Sequence, residues 1–115
     1  MKHVIHADNS EFFRKQMKTW LSETGLEHES FASGQEAVDA VADGRAAFVI
    51  TGMELCDMGG EELIKRLMVL PQKPPVLVVT SNEDPQQHER LYALGVKAII
   101  LKSGEWKAEL SKVIC

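Results

Sequence analysis

Five short apolar runs, each followed by a segment of helical period, set the strongest limit on what this chain can fold into. Residues 4–7 read as a first strand, and Ser10 is placed to cap a helix carrying Phe13, Met17, Trp20 and Leu21 on one face. Thr24-Gly25 ends that helix. Residues 26–32 are polar and roughly alternating, which suits an edge strand. Ser33-Gly34-Gln35-Glu36 has the S-x-x-E form of a capping box and opens a helix presenting Ala37, Val38 and Val41, which stops near Gly44. Residues 46–51 are continuously apolar and end in a threonine, as expected of a central strand buried on both faces. Gly59-Gly60 leads into a helix with Leu63, Ile64 and Leu67 inward, and Pro71, Pro74 and Pro75 break it ahead of a fourth strand at residues 76–80. Asp84-Pro85 supplies an N-cap and a first-turn proline for a helix ending at Gly95. A fifth strand at residues 98–102 and a last helix from Glu105, with Trp106, Leu110 and Val113 facing the sheet, complete the pattern.

Parallel strands need crossover connections, and right-handed crossovers place helices on both faces of a sheet. The expected fold is therefore α/β, a doubly wound five-stranded parallel sheet. Its 115 residues suit one domain over residues 1–115, and 44% hydrophobic with 26% charged residues is an ordinary globular balance. Thirteen Lys and Arg against 17 Asp and Glu give −4, which argues against a general nucleic-acid or anionic-membrane surface and favours protein partners. There is no apolar run of the roughly 20 residues that a membrane crossing needs, and the start is too short and polar for a signal peptide. Cys56 and Cys115 lack a zinc-ligand or CxxC spacing and read as reduced thiols, so the expected location is the cytoplasm.

In such sheets the functional crevice lies outside the carboxyl ends of the strands, which directs attention to residues 7–10, 51–57, 80–82 and 102–104. Asp8-Asn9-Ser10 after the first strand, Thr80-Ser81 after the fourth and Lys102 at the end of the fifth, with a Met58-x-Gly60 turn after the third, resemble the response-regulator receiver family along essentially the whole chain. That resemblance implies the flavodoxin-like receiver fold with strand order 2-1-3-4-5, the order found in chemotaxis-type members of the family. It also implies a pocket of Asp8, Asn9, Gly52, Thr80 and Lys102, and an output face on the fourth helix and fifth strand that here carries His88, Tyr92 and Ile99.

The same alignment puts Gly52 where the family has its phosphoacceptor aspartate, and Asn9 where it has a second acid. Glycine offers no carboxylate to attack a phosphoryl donor, and an amide is a poorer ligand than a carboxylate for a hard cation. An intact receiver pocket, with three carboxylates and one lysine, sums to −2; Asp8 and Lys102 sum to zero, so neither a metal nor another cofactor is expected. Lys102 is expected to pair with Asp8 directly, or through Asn9 or Thr80, since a partly buried charge without a partner is costly. Cys56 and Ser103 stand where receivers commonly have proline, and a trans Lys102–Ser103 peptide is expected. Glu54 and Asp57 are read as solvated loop acids, with a displaced phosphorylation site on one of them as the alternative. Thr80 has no general base in its motif and is read as a pocket hydrogen-bonding group.

Of the histidines, His6 shares the parity of Asp8 in the first strand and is read as structural, while His3, His28 and His88 are scattered. Trp20 and Trp106 read as core, and Met53, Met58 and Met68 as gap-fillers. Ile99 occupies the family's aromatic switch position, where it serves as a static contact. The expected function is a non-enzymatic, non-phosphorylatable receiver-like domain, a pseudo-receiver. It acts through a protein partner, a linked output domain or a second copy of itself, and binds neither nucleic acid nor membrane. A small nucleotide- or flavin-binding enzyme on the same fold is the weaker alternative, because no Gly-rich phosphate loop follows any strand. Met1 so near the first strand suggests that the domain begins its polypeptide, and the short last helix closing at Cys115 suggests that an output domain follows.

Overall fold

The computed structural model describes residues 3–114; Met1, Lys2 and Cys115 lie outside the described residues. The elements run β1 (His3–Ala7), α1 (Glu11–Thr24), β2 (Glu27–Phe31), α2 (Gly34–Ala42), β3 (Phe48–Thr51), α3 (Gly60–Met68), β4 (Val76–Thr80), α4 (Pro85–Leu94), β5 (Ala98–Leu101) and α5 (Trp106–Ile114). All neighbouring strands are parallel, in the order β2-β1-β3-β4-β5. The expected doubly wound sheet is present, with its second strand on the edge. Several strands are shorter than the apolar runs that announced them: residues 46 and 47 precede β3, and Lys102 follows β5 instead of ending it.

Helix ends follow the capping chemistry written in the sequence. Ser10 Oγ accepts from Phe13 N and Ser33 Oγ from Glu36 N, each satisfying a backbone donor that a helix start leaves open. Asp84 caps α4 through Gln86 N, followed by Pro85 at the first turn. Gly25 and Gly95 close α1 and α4 with φ of 78° and 109°, a region that a side chain makes costly.

Two apolar layers sandwich the sheet. One unites Ile5, Val49, Leu63, Ile64, Leu67 and Val78 beneath α2 and α3; the other unites Val4, Phe13, Trp20, Ile50, Leu77 and Leu110 beneath α1 and α5. Trp20 and Trp106 meet edge-to-face at 5.8 Å in the second layer. Met53, Met58 and Met68 pack at the margin of the first, as gap-fillers should. On α5 the inward set is Trp106, Leu110 and Ile114; Val113 is only partly buried, because the helix begins at Trp106 and its period carries Ile114 inward. The edge strand β2 is guarded by charge: Glu29 lies 2.9 Å from His3 Nε2 and 3.1 Å from Arg45, and Glu27 lies 3.6 Å from His3 Nδ1.

His6 is the exception to an apolar interior. It is fully buried, its ring 6.0 Å from that of Phe13, and neither ring nitrogen has a hydrogen-bond partner among the described residues. Burial lowers its pKa to about 4; Asp8 opposes the shift, and Lys102, Arg14 and His28 add to it. The unfolded chain, with an ordinary pKa of 6.5, takes the proton first, so His6 subtracts stability as the pH falls from 6.5 to about 4. His6→Val is expected to stabilise the domain by about 1–3 kcal/mol at pH 7, since it removes unsatisfied buried polar groups. Urea denaturation across that pH range should also show a shallower acid loss in the variant than in the parent.

Candidate functional site

The carboxyl ends of β1, β3, β4 and β5 open onto a polar cleft of about 380 Å³ that includes Asp8, Asn9, Glu54, Thr80, Gln87 and Lys102 among its walls. Its floor is set by strand geometry. β1 stops at Ala7, whose carbonyl accepts from Gly52 N at 2.9 Å, and Asn9 N donates to Glu54 O at 3.0 Å, so the loops after β1 and β3 are joined. Asp8 turns back on its own loop: Oδ1 accepts from Ser10 N at 2.9 Å, and its backbone carbonyl accepts from Arg14 at 2.7 Å. On the far side, Lys102 N donates to Thr80 O at 2.8 Å and fixes the residue after β5 against β4.

Lys102 Nζ lies 2.9 Å from Asp8 Oδ2 and 4.3 Å from the centre of the Phe13 ring. The ammonium is thus held between a carboxylate and an aromatic face, the latter contact contributing about 1 kcal/mol. Oδ2 receives no well-aligned hydrogen bond among the described residues, so charge, more than a directed hydrogen bond, holds the pair. The pairing is direct, without Asn9 or Thr80 as intermediary. The Asp8 side chain is 6% exposed and that of Lys102 26%, which makes the contact stronger than a surface ion pair while leaving the lysine partly hydrated.

Gly52 lies under this pair. A Cβ at position 52 would stand 2.6 Å from Asp8 Oδ2 and 3.0 Å from its carboxyl carbon, closer than real side chains pack. The space that a side chain at 52 would enter is therefore filled by Asp8. Backbone contacts fix the glycine further: Thr51 Oγ1 donates to its carbonyl at 2.8 Å, and α3 begins so close that a Cβ on Gly60 would lie 2.7 Å from that same oxygen.

Thr80 Oγ1 accepts from Asn82 N at 3.0 Å, a bond within the loop after β4. The Lys102–Ser103 peptide is trans, as are the others described. Glu54 is exposed at the cleft wall. Asp57 corrects the expectation of a solvated loop acid. Though exposed, it accepts from Ser33 Oγ at 2.9 Å, Gly34 N at 2.7 Å and Gln35 N at 3.1 Å, so it caps α2 from another loop. These backbone bonds hold its pKa below the usual 3.8. Cys56 N donates to Ala32 O at 2.9 Å beside it, which ties the loop after β3 to the one after β2.

On α4 and β5, His88 Nε2 donates to Asn82 O at 2.7 Å, and Tyr92 Oη accepts from Ile99 N at 3.2 Å. The structure thus brings Asp8, Asn9, Gly52, Thr80 and Lys102 to one cleft and His88, Tyr92 and Ile99 to a neighbouring face. Sequence reasoning did not find the Asp57 cap, the Tyr92–Ile99 bond or Phe13 beneath Lys102. The only advance signal was the run of open donors at residues 33–35, and it does not say which acid fills them.

A doubly wound parallel sheet with an aspartate, a threonine and a lysine converging at its carboxyl end defines a receiver-type architecture. The response regulator receiver domain model matches residues 4–114, and the chain belongs to that family. It is 31% identical over 114 residues to a protein-glutamate methylesterase/protein-glutamine glutaminase of Haloarcula marismortui, covering 96% of this chain and 31% of that protein. It is 23% identical over 101 residues to the Regulator of RpoS of Escherichia coli, covering 88% of this chain and 30% of that one. The chain thus spans about a third of the length of these curated relatives. Among solved structures, the chemotaxis response regulator CheY4 of Vibrio cholerae superposes with a TM-score of 0.89 at 24% identity, covering 100% of this chain and 99% of that one.

Removing either charge of the Asp8–Lys102 pair strands the other. Asp8→Asn and Lys102→Met are each expected to cost about 2–4 kcal/mol, toward the low end for buried pairs because Lys102 keeps some water. Gly52→Ala should also destabilise the domain, and the double variant Gly52→Ala/Asp8→Ala should lose less stability than the Gly52→Ala and Asp8→Ala single losses added together, measured against the parent. Chemical denaturation of the four chains checks this, additivity being the contrary result.

Proposed function

We propose that this chain is a receiver-type signalling domain that works without aspartyl phosphorylation, through contact with a protein partner or a linked output domain. The observation that carries the reading is the Asp8–Lys102 ion pair lying directly over Gly52. Position 52 supplies no nucleophile, and the lysine that would meet an incoming phosphoryl group already has an anion at 2.9 Å.

The donor set does not fit the divalent cation that receiver pockets hold. Asp8 is committed to Ser10 N–H and Lys102, position 52 offers no side-chain oxygen, and Asn9 is a neutral amide. Phosphoryl transfer depends on a positioned nucleophile with a metal and a lysine to stabilise charge, and here position 52 carries no nucleophile and the metal lacks its ligands. A displaced acceptor has to be Glu54 or Asp57. Glu54 lines the cleft, whereas the Asp57 carboxylate is occupied by three donors at the start of α2.

The proposed role is regulatory and non-enzymatic, in the cytoplasm, with the whole of residues 1–115 acting as one unit. The relatives support a partner or output domain, since this chain matches only part of each. No helix among the described residues is long and apolar enough to cross a membrane.

Incubation with acetyl phosphate, or with beryllofluoride, in the presence of magnesium tests the proposal. Intact-mass analysis is expected to show no phosphoryl adduct, and amide NMR no magnesium-dependent shift at Gly52 or Asp8. An adduct mapped to Glu54 or Asp57 would establish the displaced-acceptor mechanism instead.

A further inference from the structure

Two consecutive residues of the loop after β3 hold the same residue at the start of α2. The Asp57 carboxylate takes the amides of Gly34 and Gln35, at 2.7 and 3.1 Å. The Met58 thioether covers the Cα of Gly34: a Cβ there would stand 2.7 Å from Met58 Sδ, 2.8 Å from Cγ and 3.1 Å from Cε. Three successive atoms of the methionine thus fill the space that a side chain at 34 would take, and another atom does not fit between sulfur and helix. The loop is closed on itself below this contact. Glu54 pairs with Gly59 in an antiparallel bridge and Leu55 N donates to Met58 O at 3.1 Å, so that Asp57 and Met58 are carried together on one short turn.

Among the methionines of the described residues, Met17 is fully buried, whereas Met53, Met58 and Met68 are partly exposed. Of these three, Met58 is the one with an exposed residue on each side, Asp57 and Gly59; Met53 follows buried Gly52 and Met68 follows buried Leu67. An oxidant arriving from solution therefore has its most open path to Met58. Oxidation turns a flexible apolar side chain into a polar one. A sulfoxide cannot keep the contact with Gly34, because its oxygen has no room against the helix and loses its hydration at the apolar margin of the core.

We propose that Met58 is an oxidation-sensitive modification site whose sulfoxide releases the loop after β3 from the start of α2. The co-reactant is a two-electron oxygen donor of the hydrogen peroxide class. A lone pair of Sδ forms the S–O bond as the O–O bond breaks, and the departing hydroxide takes the proton of the transferred oxygen. The thioether is oxidised by two electrons to the sulfoxide, and the peroxide is reduced to water. Methionine sulfoxide reductases return the thioether, so the release is reversible. With the turn withdrawn, Gly34 N and Gln35 N lose their acceptor, and Asp57 loses the backbone bonds that hold its pKa below 3.8. The site lies outside the cleft and its chemistry is independent of phosphoryl transfer.

Limited treatment of the full chain with hydrogen peroxide, followed by dithiothreitol to return oxidised cysteines to thiols, tests the site by peptide mass mapping and native-state amide exchange. One added oxygen is expected on Met58 ahead of Met53 and Met68. Exchange at Gly34 and Gln35 should then speed up about fivefold, with Val78 in the central sheet within about twofold of its untreated rate. Methionine sulfoxide reductase should reverse both changes. Met58→Leu keeps the apolar volume without the sulfur, and in this variant peroxide should leave Gly34 and Gln35 within about twofold. The proposal is overturned if Met58 is spared while Met53 or Met68 is modified, or if oxidised Met58 leaves the two amides unchanged. A rise shared by Val78, or one that persists in Met58→Leu, overturns it as well.

Discussion

The contact between Lys102 and Asp8 is the constraint around which the functional end of this domain is organised. It joins the last strand to the first across the middle of the sheet, two elements that are far apart in sequence and not adjacent in strand order. Its geometry depends on everything beneath it. Phe13 provides the ring face over which the ammonium rests, Ser10 orients the carboxylate through its amide, and Gly52 leaves the volume that the carboxylate enters. A charge pair in this half-dry position is favourable only when its neighbours are arranged for it. Both core layers contribute to that arrangement by holding β1 and β3 in register.

The pair also gives the cleft an electrostatic character different from that of a metal-binding carboxylate cluster. One anion and one cation in contact form a dipole whose field falls off quickly, which leaves the exposed Glu54 carboxylate as the other charge on the cleft wall. The remaining wall groups are mostly neutral donors and acceptors tied into their own loops, as Thr80 and Asn82 are.

How much of this was legible in the sequence depended on the range of each interaction. Strands, helices and caps follow from local chemistry, and Ser10, Ser33 and Asp84 cap the helices that their positions indicate. The strand-end residues Asp8, Thr80 and Lys102 could be placed because the topology brings the ends of parallel strands together, and the cost of a lone buried charge then pointed to the ion pair. The Asp57 cap was not legible, since it joins residues 22 to 24 positions apart through a loop whose path the sequence does not state. Tyr92 was visible as an exposed aromatic on α4, but its bond to a backbone amide has no signature in residue types. His6 could be assigned to a strand interior, yet that its ring would lack any partner emerged only from the packing.

The contact between position 52 and Asp8 has a consequence for sequence change over time. Any side chain introduced at 52 meets a carboxylate that is itself held by a lysine, so the effect of that substitution depends on which residue occupies position 8. The two sites are epistatic, and the order in which they change matters. A path that altered Gly52 first would cross a destabilised intermediate, whereas one that first released Asp8 from Lys102 would lose the ion pair before gaining anything.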